Sequence, residues 1–118
     1  MSVKRGQVVI VDWPFGGGIG SKARPAVIVQ NDADNARMTN TIVAMITSVT
    51  RRSAEPTQLV IRIATTEGRL TGLHRDSVVN CCNLFTIEQS DIIATIGTMA
   101  TTLMQQVDAC LKAALAIP

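Results

Sequence analysis

The side chains best suited to chemistry follow a glycine-rich segment near the N-terminus. Four glycines lie between positions 16 and 20, followed by Ser21, Lys22 and Arg24, and the apolar run 25–30 then begins. Such a run is typical of a buried strand, so Arg24 would be a positive charge fixed where a strand enters the core. A guanidinium beside a loop of small residues is suited to binding a phosphate.

Two hydroxyl groups form a second candidate cluster. Thr47 and Ser48 directly follow the apolar run 42–46. Taken alone, hydroxyls at a strand end usually hydrogen-bond to the backbone of the adjoining turn. If the first three strands are neighbours, however, Thr47 and Arg24 lie at the same end of the sheet. The sequence then predicts that an arginine and a threonine hold one phosphate together.

Several other kinds of site are not expected. The glycine-rich segment lacks the P-loop spacing and the dinucleotide fingerprint, so nucleotide hydrolysis is not predicted. His74 is the single histidine, which excludes a two-histidine ribonuclease mechanism within one subunit, and its neighbours predict a surface turn before a strand. The three cysteines lack the paired spacing of a zinc site, so no metal is predicted and the thiols are expected to be structural.

Composition predicts one globular domain, residues 1–118, with an aliphatic core, since 47% of the residues are hydrophobic and only 3% are aromatic. The net charge is +2, but it is unevenly distributed. Residues 1–75 hold ten Lys and Arg against five Asp and Glu, whereas residues 76–118 hold one Lys against four acidic residues. A polyanion would therefore meet the first part of the chain. The alternative, that these charges only solvate loops on several faces, remains open.

The sequence also predicts where the protein works. An odd number of cysteines suggests no disulfide framework, and the N-terminal residues lack the apolar core of a signal peptide. No apolar run approaches the roughly 20 residues that a membrane span requires. We therefore expect a cytoplasmic protein that does not enter a membrane.

Hydrophobic patterning predicts short strands over most of the chain. They are expected at 7–13, 25–30, 41–46, 58–63, near 77–79, near 83–86 and at 92–97. Polar segments at 31–35, 48–57 and 65–69 are predicted as turns or loops, and residues 90–91 as a brief turn or helix. The apolar runs are continuous rather than alternating, which indicates strands buried on both faces or near the closure of a barrel.

The last part of the chain changes to a helical period. Apolar residues recur at helical spacing at Leu103, Val107, Cys110, Leu111 and Ala114. Thr98 or Thr101 is predicted to cap this helix. The sequence therefore predicts a mainly β fold, a small β-barrel with a C-terminal α-helix packed on it.

Motifs spread over nearly the whole chain resemble the MazF/PemK toxin family. The most specific are a Gly-x-Val-x-x-x-Asp opening at 6–12, the Arg-Pro junction at 24–25 and the Ile-Thr-Ser strand end at 46–48, followed by Asp-Ser-Val-Val at 76–79 and Thr-Ile at 86–87. The resemblance implies an SH3-like β-barrel of the PemK/CcdB type with a C-terminal helix. It also implies a homodimeric toxin of a type II toxin–antitoxin system, an mRNA interferase that cleaves single-stranded RNA sequence-selectively without a metal or other cofactor. A cognate antitoxin with a flexible tail, expected to be acidic, would block the RNA groove.

The resemblance also assigns roles to residues. Arg24 looks like the family's catalytic arginine and Thr47 like its catalytic threonine. Ser21 resembles a loop serine, and Asn83 stands where a glutamine often helps to hold RNA. With them, Lys22 and Ser48 are assigned to RNA binding.

The implied chemistry is attack of a ribose 2′-hydroxyl on the adjacent phosphorus, which gives 2′,3′-cyclic phosphate and 5′-hydroxyl ends. The planar fork of Arg24 is suited to stabilising the charge that develops on the phosphate oxygens. A guanidinium stays protonated, so Arg24 is a poor general base, and the sequence identifies neither the base nor the acid. Some relatives carry an acidic residue in the first loop, and this chain does not.

Two alternative functions remain open from the sequence. One is a non-enzymatic toxin on the same barrel that binds gyrase, as the CcdB proteins do. The other is an inactive family member that serves only as a scaffold for antitoxin binding, suggested by the first loop without an acidic residue. The Arg-Pro and Ile-Thr-Ser motifs favour the ribonuclease.

Overall fold

The structure is a computed structural model that describes residues 2–13 and 22–118. Within these residues the chain forms six strands and three α-helices. In chain order they are β1 (Gln7–Trp13), β2 (Lys22–Ile28), α1 (Asp32–Arg37), β3 (Asn40–Thr47), β4 (Gln58–Ile61), α2 (Thr66–Leu70), β5 (Ser77–Glu88), β6 (Ile92–Thr98) and α3 (Thr101–Leu115), with a 3₁₀ turn at Gln89–Asp91. The glycine-rich segment and Ser21 lie outside the described residues.

The six strands form one sheet in the order β4-β5-β3-β2-β1-β6, and every neighbouring pair is antiparallel. The mainly β fold with a C-terminal helix is confirmed. In the described part of the chain the sheet is not closed, because β4 and β6 each pair with one strand and not with each other. Both edges therefore retain unpaired backbone groups.

The central strands are buried on both faces, as their continuous apolar runs predict. Val8 and Val9 are neighbours on β1, yet each belongs to a different core cluster, and Val43 and Ala44 on β3 are divided in the same way. One cluster packs against α3 through Leu103, Val107 and Cys110. The helical spacing of the last part of the chain is thus confirmed.

Two segments predicted as turns or loops are short helices. At α1, the Asn31 side chain accepts a hydrogen bond from the backbone N of Asp34 at 2.8 Å. At α2, Thr65 Oγ1 accepts one from the backbone N of Gly68 at 2.9 Å. In both cases a polar residue that is also common in turns caps the first turn of a helix. The prediction of turns at 31–35 and 65–69 was therefore wrong.

The two short strands predicted near 77–79 and 83–86 are one strand of 12 residues with an internal bulge. Ala44 on β3 pairs with Leu84, whereas the next residue, Met45, pairs with Asn80. Residues 81–83 therefore have no counterpart on β3. The strand stays in the sheet there because the backbone N of Cys81 donates to Thr57 O at 3.0 Å. A bulge of this kind redirects side chains away from their regular alternation.

Neither Thr98 nor Thr101 caps α3. The N-cap residue is Ala100, which has no side-chain hydrogen bond, and Thr101 is the first helical residue. The backbone N of buried Met99 donates to Gly6 O at 2.8 Å. Tertiary anchoring of this segment therefore determines where the helix begins, in place of a polar cap. Within the described residues, no helix has the length and apolar character to span a membrane.

The segment before β5 is held firmly against β6. Gly72 has φ +73°, and a Cβ there would overlap the carbonyl of Ile96. Asp76 Oδ1 accepts a hydrogen bond from the backbone N of Ile63 at 2.9 Å. Ser77 Oγ donates to the carbonyl of the residue two before it at 2.9 Å. The bend at residues 74–75 is thus fixed at both of its ends.

Candidate active site

Arg24 lies on β2 opposite Val11 of β1 and is exposed. Among the described residues it has no ion-pair partner within 4.0 Å. On the other side of β2, Ala26 pairs with Met45 of β3. Continuing that antiparallel register by two residues places Arg24 level with Thr47. The guanidinium is therefore available to a ligand at this end of the sheet.

Thr47 is the last residue of β3 and is half-buried. Its Oγ1 accepts a hydrogen bond from the backbone N of Val49 at 3.1 Å. This contact is the turn-stabilising role that a hydroxyl at a strand end was expected to have. Because Oγ1 is used as an acceptor, its own proton remains available to donate to a ligand. The local fold thus fixes the hydroxyl, and no acceptor for its proton lies among the hydrogen-bonded groups of residues 2–13 and 22–118.

A cavity of about 400 Å³ brings the two predicted catalytic residues together. Its volume is within the usual range for small-molecule sites. Its lining contains six polar and six apolar side chains. The polar side chains that line it are Arg24, Thr47, Ser48, His74, Arg75 and Ser77, and the apolar ones are Ile10, Pro25, Ile46, Val49, Leu73 and Ile96.

A second cavity of about 300 Å³ adjoins the first. Thr47 and Val49 line both cavities, so they form the boundary between them. The remaining residues of this second cavity come from the loop after β3, from β4 and from the bulged part of β5. They are Arg51, Arg52, Gln58, Asn80, Cys82 and Asn83.

Both cavities are electropositive. Arg24 and Arg75 line the first and Arg51 and Arg52 line the second, and the described residues that line the two cavities include no Asp or Glu. Arg52 is partly neutralised by Glu55, at 3.7 Å. Four of the ten Lys and Arg residues among positions 1–75 therefore line the two cavities that meet at Thr47, which suits a polyanionic ligand.

The structure gathers most of the predicted site residues at this end of the sheet. Arg24, Thr47 and Ser48 line the first cavity, and Asn83 lines the second. Lys22 pairs with the last residue of β1 and lines neither cavity. Ser21 lies outside the described residues.

Seven polar residues in these cavities, apart from the exposed Cys82, were not predicted as site residues. Three of them are Ser77 at the start of β5 and, in the loop after β3, Arg51 and Arg52. His74 and Arg75 reach the first cavity from the exposed bend before β5, which is the surface turn predicted there. Gln58 and Asn80 reach the second from facing positions on β4 and β5. A single sequence has no signal for Gln58 and Asn80, because they meet only through the pairing of β4 with β5.

The cysteines divide into two groups. Burial raises the pKa of the Cys81 thiol to about 12, and burial also raises the pKa of Cys110, whose thiol contacts that of Cys81. Cys82, by contrast, is exposed. No three His, Cys, Asp or Glu side chains in the described ranges lie close enough together to hold a metal ion.

Known proteins resemble this chain in both sequence and fold. A family model of PemK-like, MazF-like toxins of type II toxin–antitoxin systems matches residues 4–115. The chain is 33% identical over 114 residues to Endoribonuclease MazF6 of Mycobacterium tuberculosis (strain ATCC 25618 / H37Rv), covering 95% of this chain and 96% of the relative. It is 31% identical over 118 residues to Endoribonuclease EndoA of Bacillus subtilis (strain 168), covering 99% and 97%.

The solved structures agree with the sequence matches. A mycobacterial endoribonuclease in complex with its cognate antitoxin has a TM-score of 0.80 and 25% identity to this chain, covering 99% of this chain and 98% of that one. The family match extends over almost every described element, including the strand ends that carry Arg24 and Thr47. The chain therefore belongs to the PemK-like, MazF-like toxin family of type II toxin–antitoxin systems.

Proposed function

We propose that this protein is the toxin of a type II toxin–antitoxin system and acts as an endoribonuclease on single-stranded RNA. The observation that carries the proposal is the convergence of Arg24 and Thr47. They lie level on neighbouring strands and line one cavity at an electropositive end of the sheet. Relatives that align with almost the whole chain are named endoribonucleases.

The proposed reaction takes place at a phosphate bound where the two cavities meet. A ribose 2′-oxygen forms a bond to the adjacent phosphorus, the bond from phosphorus to the 5′-oxygen breaks, and the 2′-hydroxyl proton leaves to a base. The products are a 2′,3′-cyclic phosphate and a 5′-hydroxyl after the leaving oxygen takes up a proton. The nucleophile belongs to the RNA itself, so the protein has only to position the phosphate and stabilise its charge.

Arg24 and Thr47 divide that work. The planar guanidinium of Arg24 can donate two parallel hydrogen bonds to phosphate oxygens, and it stays charged at any working pH. The hydroxyl of Thr47 is already fixed by its bond to Val49, and its proton can be donated to one of the two non-bridging phosphate oxygens. Removing one such donor from a preorganised site typically slows the reaction by about 10²–10³-fold.

The remaining predicted residues bind RNA on either side of this phosphate. Ser48 lies beside Thr47 in the first cavity, and Asn83 lies in the second. Arg51 provides further charge for neighbouring phosphates. Lys22, at the start of β2, would contact the RNA beside this phosphate, and Ser21 is assigned to RNA binding on the family resemblance alone. We assign five polar residues to RNA binding rather than to bond cleavage, and these are Ser21, Lys22, Ser48, Arg51 and Asn83.

The geometry of the site favours this function over the two alternatives. A toxin that binds gyrase without enzymatic activity, or an inactive scaffold, would not require an arginine and a threonine to converge in one electropositive cavity. Arg24 is exposed and has no ion-pair partner in the part of the chain that the structure describes, which also fits a residue that binds a ligand. The sequence preference of cleavage is part of the proposal and follows from groups that can contact unstacked bases.

Two protein partners complete the proposal. One is a cognate antitoxin whose acidic tail occupies the arginine-lined cavities in place of RNA, and a solved relative carries its cognate antitoxin. The other is a second copy of this chain, since a homodimer would cover exposed sheet edges. All three cysteines are free thiols, which is consistent with a reducing, cytoplasmic setting.

The substitution Arg24→Ala tests the proposal. Purified wild type, incubated with long single-stranded RNA in excess EDTA, should cleave it, and Arg24→Ala should lose at least about 10²-fold in rate. Arg24 is exposed and has no ion pair among the described residues, so the thermal midpoint should stay nearly unchanged.

Arg37→Ala is the matched control. Arg37 is also an exposed arginine, but it lies on α1, which precedes the start of β3, whereas Thr47 is the last residue of β3. It removes the same charge and should leave cleavage unchanged. A folded Arg24→Ala variant that cleaves at the wild-type rate would contradict the assigned role of Arg24. A folded wild type that cleaves none of several varied RNAs would contradict the function.

A further inference from the structure

The second cavity contains two amide side chains that the reaction above does not use. Gln58 is buried, and its Nε2 donates to Asn80 Oδ1 at 2.9 Å and to Thr57 Oγ1 at 3.0 Å. Asn80 Oδ1 also accepts a hydrogen bond from the backbone N of Cys82 at 2.9 Å. A backbone N–H can only donate, so this bond identifies Oδ1 as the acceptor and fixes the orientation of both amides.

Each amide side chain retains one polar group that can bind a ligand. With Oδ1 engaged, Asn80 retains the donors on Nδ2, and with Nε2 engaged, Gln58 retains the acceptor Oε1. Neither of these atoms has a hydrogen-bond partner among the residues that the structure describes. The pair therefore offers a donor and an acceptor side by side, held in place by the bond between them.

The pair lies on the same face of the sheet as the proposed catalytic residues. Asn80 is opposite Met45 on β3 and opposite Gln58 on β4. Met45 is two residues before Thr47, and residues two apart on a strand face the same side. With Arg24 level with Thr47, these side chains extend across four adjacent strands, and the amide pair is offset from Thr47 by two residues along the strands. Three strand spacings of about 4.8 Å make their span across the strands about 14 Å.

We infer that Gln58 and Asn80 bind the edge of one unpaired RNA base next to the phosphate held by Arg24 and Thr47. This inference rests on the proposed function. Every RNA base displays a donor beside an acceptor on one edge, and proteins identify RNA sequence mainly by hydrogen bonds to such unstacked bases. Arg51 on the same wall would contact phosphate, which positions the strand and carries no sequence information.

The substitution Asn80→Asp tests the inference. It keeps the shape of the side chain and an oxygen that can accept the existing bonds, but it replaces the free Nδ2 donor with an acceptor. Wild type and variant are incubated with a randomised single-stranded RNA pool in EDTA, and the fragment ends are sequenced. At one position beside the cleaved bond, the ratio of kcat/KM values between bases should change by about 5- to 150-fold.

Arg51→Gln is the matched control, because it also lowers the charge of the cavity by one without touching the amide pair. It should reduce cleavage of all sequences alike. An Asn80→Asp variant that keeps the wild-type base preference, whether at full or at uniformly reduced rate, would overturn the inference and leave the proposed function intact. Failure of the folded wild type to cleave any RNA would overturn both. Thermal midpoints of the two variants verify that each is folded.

Discussion

Thr47 shows how one side chain can serve the fold and the proposed chemistry together. Its oxygen accepts a hydrogen bond from Val49 N at 3.1 Å, which is a common arrangement after a strand. The same bond orients the hydroxyl proton toward other acceptors. A structural role for this residue therefore does not argue against a catalytic one, since the turn supplies the preorganisation that the reaction needs.

Cysteine reactivity provides a prediction at the same scale. Iodoacetamide reacts with thiolates, and burial raises the pKa of Cys81 to about 12 and also raises that of Cys110. Cys82 is exposed in the second cavity. Mass spectrometry of the native protein after brief labelling at pH 8 should find Cys82 alone modified, and all three thiols modified in urea.

The variant Cys82→Ser is the control for that measurement, and it should show almost no labelling before unfolding. Rapid labelling of Cys81 or Cys110 in the native protein would contradict the packing of α3 on β5, because both thiols lie in the cluster between these elements. Labelling of Cys82 in the wild type should also become slower when RNA is bound, if the second cavity holds a base.

At the scale of elements, the sequence predicted the strands whose apolar runs are long and continuous. The first strand has the predicted bounds, and the third differs by one residue at each end. The second begins three residues earlier than predicted, at Lys22, because residues before the apolar run pair with β1. Such extensions depend on a partner strand and leave no trace in local composition.

The elements that sequence reasoning missed depend on contacts between distant parts of the chain. Asn and Thr are common both in turns and at helix N-caps, so the local sequence at Asn31 and Thr65 could not distinguish a turn from the start of a helix. The bulge at residues 81–83 interrupts the alternation of β5, so the sequence pattern there is the same as that of a turn between two short strands. The bulge places Cys82 and Asn83 on the wall of the second cavity.

The candidate site was predictable to the extent that it follows strand ends. Arg24 and Thr47 could be paired from the sequence because, in two consecutive antiparallel strands, the start of the first lies beside the end of the second. Gln58 and Asn80 could not be found in this way. They are 22 residues apart and meet only because β4 pairs with β5.

For the whole molecule, exposed apolar surface predicts self-association. Ile93 on edge strand β6 is 61% exposed, and Val49 at the boundary of the two cavities is 59% exposed. A monomer would present both groups and two open sheet edges to water. Light scattering at micromolar concentration should therefore give the mass of a dimer, about twice 12.6 kDa.

The substitution Ile93→Lys should shift that equilibrium toward the monomer if β6 contributes to the dimer interface, because a charge would be buried there. Arg37→Lys, an exposed conservative change on α1, serves as its control. A wild type that remains monomeric at micromolar concentration would contradict the proposed homodimer, although each protomer would still contain the Arg24 and Thr47 pair.

The chemical nature of the RNA ends tests the central claim most directly. Wild-type protein would be incubated with a defined single-stranded RNA in excess EDTA, and the fragments analysed by mass spectrometry and by labelling with polynucleotide kinase. We expect 2′,3′-cyclic phosphate on one fragment and a 5′-hydroxyl on the other, because the proposed nucleophile is the ribose 2′-oxygen. Fragments with 5′-phosphate and 3′-hydroxyl ends, or cleavage that stops in EDTA, would contradict it.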